Sequence, residues 1–200
     1  MKLFAICFSL AAASVWAVDD RVLESLLILP EPRALRTERS LVPTGAVATV
    51  FSPAREIAQA PGIEVYDQES FAKLGLSPES FLERAKRTAD RLLVGLKPDL
   101  VKGADGRVAY AVYRGERPVM ASLVVAPSLA ELFEDLFGPE VWAALPDRHA
   151  LYIFPARQES VAEFAADLAE RFREDAHAAS PELFLLKKGA EPRVVGAFSR

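Results

Sequence analysis

Two histidines and one arginine hold most of the reactive capacity of this 200-residue chain. His149 follows Asp147 and Arg148, and His177 follows Asp175. Brought together by the fold, two imidazoles and a carboxylate could hold a metal with an open position. They could equally serve Ser122 or Ser180 as a base, since histidine titrates near neutral pH. Arg148, at the head of an apolar run, could clamp a carboxylate or phosphate in bidentate fashion. Each residue also has a plainer role. A histidine near a helix C-terminus, as His177 is expected to be, is favoured by the helix dipole. Arg148 can pair with Asp147, Asp175 or Glu182. A hydroxyl among apolar neighbours, as at Ser122, is ordinarily a satisfied buried group. Trp142 lies beyond a helix break and is a candidate ligand contact, whereas Phe133 and Phe137 share a helical face and read as core. The histidines share no helix, so local spacing gives a joint site no support. The plainer readings are therefore preferred, and no catalytic residue, metal or cofactor is expected.

The familiar motifs are missing. The sequence has no nucleophile elbow, no P-loop and no dinucleotide glycine fingerprint. Gly103-Ala104-Asp105-Gly106 is rich in glycine, but it lies between two strand patterns with no helix following to receive phosphate. It reads as a hairpin turn.

The elements that must position these residues follow from periodicity. Ala46 to Phe51 reads as a strand, and Ser52-Pro53 as the opening of a short helix. Ile63 to Tyr66 is another strand, and Asp67 caps a helical turn that closes at Gly75. Ser77-Pro78 opens a helix whose Phe81, Leu82, Ala85, Ala89, Leu92 and Leu93 form one stripe, stopped by Gly95. Strands are predicted at Asp99 to Lys102, Arg107 to Tyr113 and Val119 to Ala126, the last two joined at Gly115-Glu116. Arg107 to Tyr113 and Val119 to Ala126 are apolar on both faces, which places them mid-sheet. Ser128 with Glu131, and Ser160 with Glu163, have the spacing of capping boxes opening two further helices. Glu140 to Leu145 reads as an extra helical turn, and Ala150 to Phe154 as a buried strand. Leu183 to Lys187 and Val194 to Phe198 close the chain as a hairpin around Gly189. Strands in hairpins with helices interposed give an α+β fold: a mostly antiparallel, hairpin-rich sheet with three to four amphipathic helices packed on it.

The N-terminus speaks to location. Lys2, the apolar run Leu3 to Ala13, and Val15-Trp16-Ala17 have the form of a secretory signal peptide over residues 1–17. The run is too short to span a bilayer. Residues 18–45, with Pro30, Pro32 and Pro43 among charges, read as an extension or linker, and residues 46–200 as a single domain. The only cysteine is Cys7, so a processed chain would be free of thiols and disulfides. Ile6 is bulky where a lipoprotein box wants a small residue, which argues against lipidation of Cys7. The net charge of −4 is wrong for nucleic acid. Arg84, Lys86, Arg87 and Arg91 share a helix with Glu79, Glu83 and Asp90 and read as a solvated face. No later segment is long and apolar enough to cross a membrane. The expected location is periplasmic or secreted.

From about Leu41 onward the chain resembles the YtpQ-like family of bacterial proteins. The likeness is carried by Ser70-Phe71-Ala72-Lys73-Leu74-Gly75-Leu76-Ser77, Met120-Ala121-Ser122-Leu123-Val124-Val125, Pro146-Asp147-Arg148-His149-Ala150-Leu151 and His177-Ala178-Ala179-Ser180-Pro181-Glu182-Leu183-Phe184. His149 stands where the family usually has aspartate, and the leader would make this chain an exported variant. The resemblance implies a fold and brings no activity with it. The functional expectation is a non-catalytic binding or accessory domain of the cell envelope. Its partner would be an envelope protein or a peptide added to a sheet edge. The alternative is a hydrolase or metal-dependent enzyme built on Arg148, His149 and His177, which requires these side chains to converge.

Overall fold

The computed structural model describes residues 22, 23, 25–57 and 62–199. The signal peptide expected at residues 1–17 lies outside them. The fold is α+β, with nine strands in two antiparallel sheets among the described residues. The smaller sheet has the order β1 (Leu26–Pro32), β2 (Thr49–Glu56), β3 (Ile63–Val65). The larger contains β4 (Asp99–Lys102), β5 (Val108–Arg114), β6 (Glu140–Ala144), β7 (Ala150–Pro155), β8 (Glu182–Lys187) and β9 (Arg193–Ala197). Its spatial order is β4-β5-β7-β6-β8-β9. Among the described residues five full α-helices accompany them: α1 (Gln68–Ala72), α2 (Pro78–Val94), α3 (Glu134–Phe137), α4 (Gln158–Ala162) and α5 (Ala165–Glu174).

The larger sheet is the middle layer, and strand alternation explains why. Val141 and Ala143 of β6, Leu151 and Ile153 of β7, and Phe184 and Leu186 of β8 enter one core with β1, α2 and Phe51. Ala144, Tyr152, Phe154 and Leu183 enter a second core with Leu168 and Ala169 of α5. Phe51 and Phe184 stack across the two sheets, ring centroids 5.7 Å apart. Trp142 is half-buried in mid-sheet, paired with Phe154 and Leu185 and packed on the second core.

Several local expectations are corrected. The segment 18–45, which its prolines mark as an extension or linker, contains β1, whose Leu26 to Leu29 are at most 1% exposed. Its prolines are tolerated by register. Pro30 and Pro32 oppose Phe51 and Thr49, and Phe51 exchanges both backbone hydrogen bonds with Leu41 on the side away from β1. The missing proline N–H groups therefore point off an edge strand, where nothing needs them. Ser52-Pro53 opens no helix: it lies inside β2, and the Pro53 carbonyl accepts the Tyr66 N–H at 2.9 Å. Val119 to Ala126 is not a strand but a buried 3-10 turn over Ala121–Val125. A short apolar run bracketed by Pro118 and Pro127 fits either. Glu140 to Leu145 makes no helical turn: Glu140–Ala144 is strand β6, because Gly138 at φ +95° ends α3 and Pro139 redirects the chain.

The Ser128–Glu131 box does not cap one helix. Ser128 instead donates its hydroxyl to Asp90 Oδ1 at 2.7 Å, and a 3-10 turn at Glu131–Phe133 leads into α3. Leu132 and Leu136 are left 58% and 43% exposed rather than in the core. The second box is likewise broken: Phe164 separates α4 from α5, and the Ser160 hydroxyl receives Arg157 Nε at 2.9 Å.

Candidate functional site

The larger sheet has two ends, and both carry residues that could do chemistry. One holds the histidines. Just beyond β6 and before β7, residues 145–149 pair with residues 177–180. Arg148 N–H donates to the His177 carbonyl (3.1 Å), Ala179 N–H to Pro146 (3.1 Å) and Ser180 N–H to Leu145 (2.8 Å). Asp147 Oδ1 accepts the His149 N–H at 2.7 Å, and Asp175 Oδ1 accepts the His177 N–H at 2.6 Å. These bonds bring the two imidazoles side by side, ring centroids 6.1 Å apart and ring planes inclined at 51°. His149 Nδ1 lies 3.2 Å from the Gly115 carbonyl. A carbonyl only accepts, so Nδ1 carries the proton and Nε2 keeps its lone pair in the neutral ring.

Most of the remaining groups at this end are committed to the fold, although Arg148 Nε and Glu182 Oε2 are buried without a hydrogen-bond partner among the described residues. Arg148 pairs with Glu31 of β1 at 2.7 Å, and not with Asp147, Asp175 or Glu182. Side-chain exposures of 16% and 4% make this a largely buried ion pair. Glu182 Oε1 receives the N–H groups of Val47 (2.7 Å) and Ala48 (3.0 Å), tying the approach to β2 onto β8. The Ser180 hydroxyl lies 2.6 Å from Thr49 Oγ1 and accepts the Glu182 N–H, so it is not held for His177. Ser122 is fully buried on its 3-10 turn, and its hydroxyl has no partner among the described residues, contrary to the satisfied group expected. Burial pushes the Asp147 carboxyl up from its ordinary range, partly offset by the His149 N–H it accepts. Asp175 nearby adds to the rise. Among the described residues no three His, Cys, Asp or Glu side chains are disposed to hold a metal ion. Two imidazoles alone do not make a zinc centre.

The other end is a groove. Gly106 to Val108 at the start of β5, Pro155 to Arg157 at the end of β7, Pro139 and Glu140 at the start of β6, and Lys187 at the end of β8 line it. Leu136 and Phe137 of α3 complete its floor, and its volume is about 840 Å³. Three cations reach it. Arg157 is steadied by Ser160, and Lys187 lies 3.3 Å from Glu140. Arg107 has its backbone N–H on Asp105 Oδ1 (2.9 Å), and its guanidinium makes no ion pair among the described residues. A second hollow of about 490 Å³ continues from Arg107 and Arg157 toward the β4–β5 turn, where Asp105, Glu159 and Glu163 balance the charge. Neither Arg107 nor Arg157 belongs to a motif in the sequence. Each sits just outside a strand, and only the pairing of β5 with β7 makes them neighbours.

Fold and site together define an α+β domain with a cationic, apolar-floored groove across one end of its main sheet. No protein-family model matches the chain, and no curated protein or solved structure does either. Among the described residues no helix is long and apolar enough to cross a membrane.

Proposed function

We propose that the chain is an exported, non-catalytic binding module of the cell envelope, and that its groove takes an acidic, extended segment of an envelope protein. One observation carries this reading. In a chain of net charge −4, Arg107, Arg157 and Lys187 line the groove with one carboxylate, Glu140, over a floor of Val108, Leu136, Phe137 and Pro155, while Asp105, Glu159 and Glu163 stand in the adjoining hollow. Apolar floor supplies affinity and the surrounding charge selects the partner and speeds encounter. The leader-like first seventeen residues support export. Two experiments test the proposal. Mature protein recovered from the envelope should begin at Val18; an intact N-terminus on cytosolic protein counts against it. A photo-reactive side chain replacing Leu136 should trap one discrete partner in cells. Arg107→Glu should abolish that adduct, while Arg173→Glu, on the exposed side of α5, should leave it. An adduct pattern indifferent to Arg107→Glu refutes the groove.

A second reading, a hydrolase using His149 as base, is favoured by the 6.1 Å approach of the two rings and the lone pair left on His149 Nε2. It calls for turnover of an activated ester that His149→Gln removes. Equal rates for wild type and His149→Gln dismiss it.

A further inference from the structure

A separate cavity opens on the smaller sheet. Its volume is about 120 Å³, and its walls are Ile28 of β1, Pro53 of β2, Phe71 of α1 and Phe81 of α2, closed by residues 38–41. Hydrocarbon walls around about 120 Å³, somewhat less than the roughly 150 Å³ of an apolar cavity that holds benzene, accept the apolar body of a small ligand whose polar end stays at the Arg39 side. The neighbouring polar groups are already engaged. Ser40 Oγ accepts the Thr37 N–H at 2.9 Å and lies 3.1 Å from Thr37 Oγ1 and 2.9 Å from Ser52 Oγ. Leu41 exchanges two backbone hydrogen bonds of 2.8 Å with Phe51.

Arg39 is different. Its guanidinium lies over the Phe71 ring, Cζ 5.2 Å from the centroid, and it lines the cavity. Its Nε is buried and has no hydrogen-bond partner among the described residues. No ion pair to Arg39 occurs among them, although Glu38 stands on the rim, exposed. A desolvated N–H donor beside a cationic fork, held by an aromatic face, is prepared for a planar anion.

We infer that this cavity binds a small monocarboxylate with an aromatic or branched apolar body, about the size of benzoate. The carboxylate takes the Arg39 fork in bidentate fashion, and the body rests against Ile28, Phe71 and Phe81. Phosphate is a poor occupant: its extra oxygens and second charge would meet hydrocarbon walls and the Glu38 carboxylate. The inference rests on residues remote in sequence from Arg107 and Arg157, and it stands or falls independently of the groove.

Calorimetric titration of the full chain with benzoate, isovalerate and benzyl alcohol tests it. At least one of the two carboxylates should bind saturably, one per chain, and the alcohol should not. Arg39→Met, which keeps an apolar stem, should weaken binding at least tenfold. Leu41→Phe, which narrows the mouth and leaves Arg39 intact, should do the same and decides the matter if Arg39→Met fails to fold. Glu38→Gln should tighten binding a few-fold by removing the like charge. The proposal is overturned if neither carboxylate binds saturably, or if binding survives both Arg39→Met and Leu41→Phe undiminished.

Discussion

At one end of the larger sheet the chain between β6 and β7 is bonded residue by residue to the chain before β8. Arg148 reaches across to Glu31, and Glu182 grips the approach to β2. At the other end the strand termini splay around a groove, and the Arg107 guanidinium makes no ion pair among the described residues. The first end contains almost every residue that looks reactive in the sequence. The second contains turn residues that look like nothing. Carboxylates, arginines and hydroxyls are also the groups best suited to satisfying buried backbone where two sheets meet. Residue type alone therefore cannot separate a bolt from a binding site; what separates them here is whether the charged groups are paired across the fold, even where single atoms such as Arg148 Nε and Glu182 Oε2 stay without a hydrogen-bond partner among the described residues.

The sharpest way to break that contrast is to remove the bolt. Arg148→Ala leaves the Glu31 carboxylate buried without its partner, and denaturant unfolding should show a loss of about 3–5 kcal/mol. The double change Glu31→Leu with Arg148→Met should recover most of it, because the charge and its desolvation go together. A loss under about 0.5 kcal/mol, the range of ordinary surface substitutions, would return Arg148 to the list of ligand-binding residues. The opposite result is expected at the other end. Arg107→Glu together with Arg157→Glu should change stability by no more than about 0.5 kcal/mol and cut crosslinking from position 136 at least tenfold. If those substitutions unfold the protein instead, the groove is structural and the two ends are alike.

How far the sequence revealed this division depends on the range of each interaction. Elements closed by their own neighbours were legible. Ser77 accepts the Ser80 N–H and Gly95 ends α2 as expected, and Asp67 caps α1. The hairpins β4–β5 and β8–β9 turn at Gly106 and Gly189, both at positive φ. Elements set by distant partners were not. The prolines of β1 argue for a linker until β2 is placed beside them, and the register then makes them harmless. Ser128 has the spacing of a capping box, but Asp90 on α2 claims its hydroxyl. The arginine–carboxylate pair that fixes Arg148 spans 117 positions, beyond the reach of any local pattern. The proximity of His149 and His177 follows from the bridge between Asp147 and Ala178, which lies outside every named strand.

A finer probe asks whether the histidine end does more than hold. Asp147 is buried, and its folded-state pKa is raised mainly by that burial; Asp175 adds to the rise, while the His149 N–H, the His149 ring and Arg171 oppose it. The folded protein thus binds this proton more tightly than the unfolded chain. The stabilisation is complete below the unfolded pKa and is lost as pH rises through the folded one. Asp147→Asn keeps an oxygen for the His149 N–H and deletes the titration. Unfolding free energies measured through the mildly acidic range should therefore decline less steeply with rising pH in Asp147→Asn than in wild type, with the variant equal or ahead at neutrality. If wild type instead gains stability relative to Asp147→Asn as pH rises through that interval, the ionised carboxylate is wanted in the fold. The neighbouring His149 ring would then be its reason, and the histidine end would have a working charge in addition to its structural one.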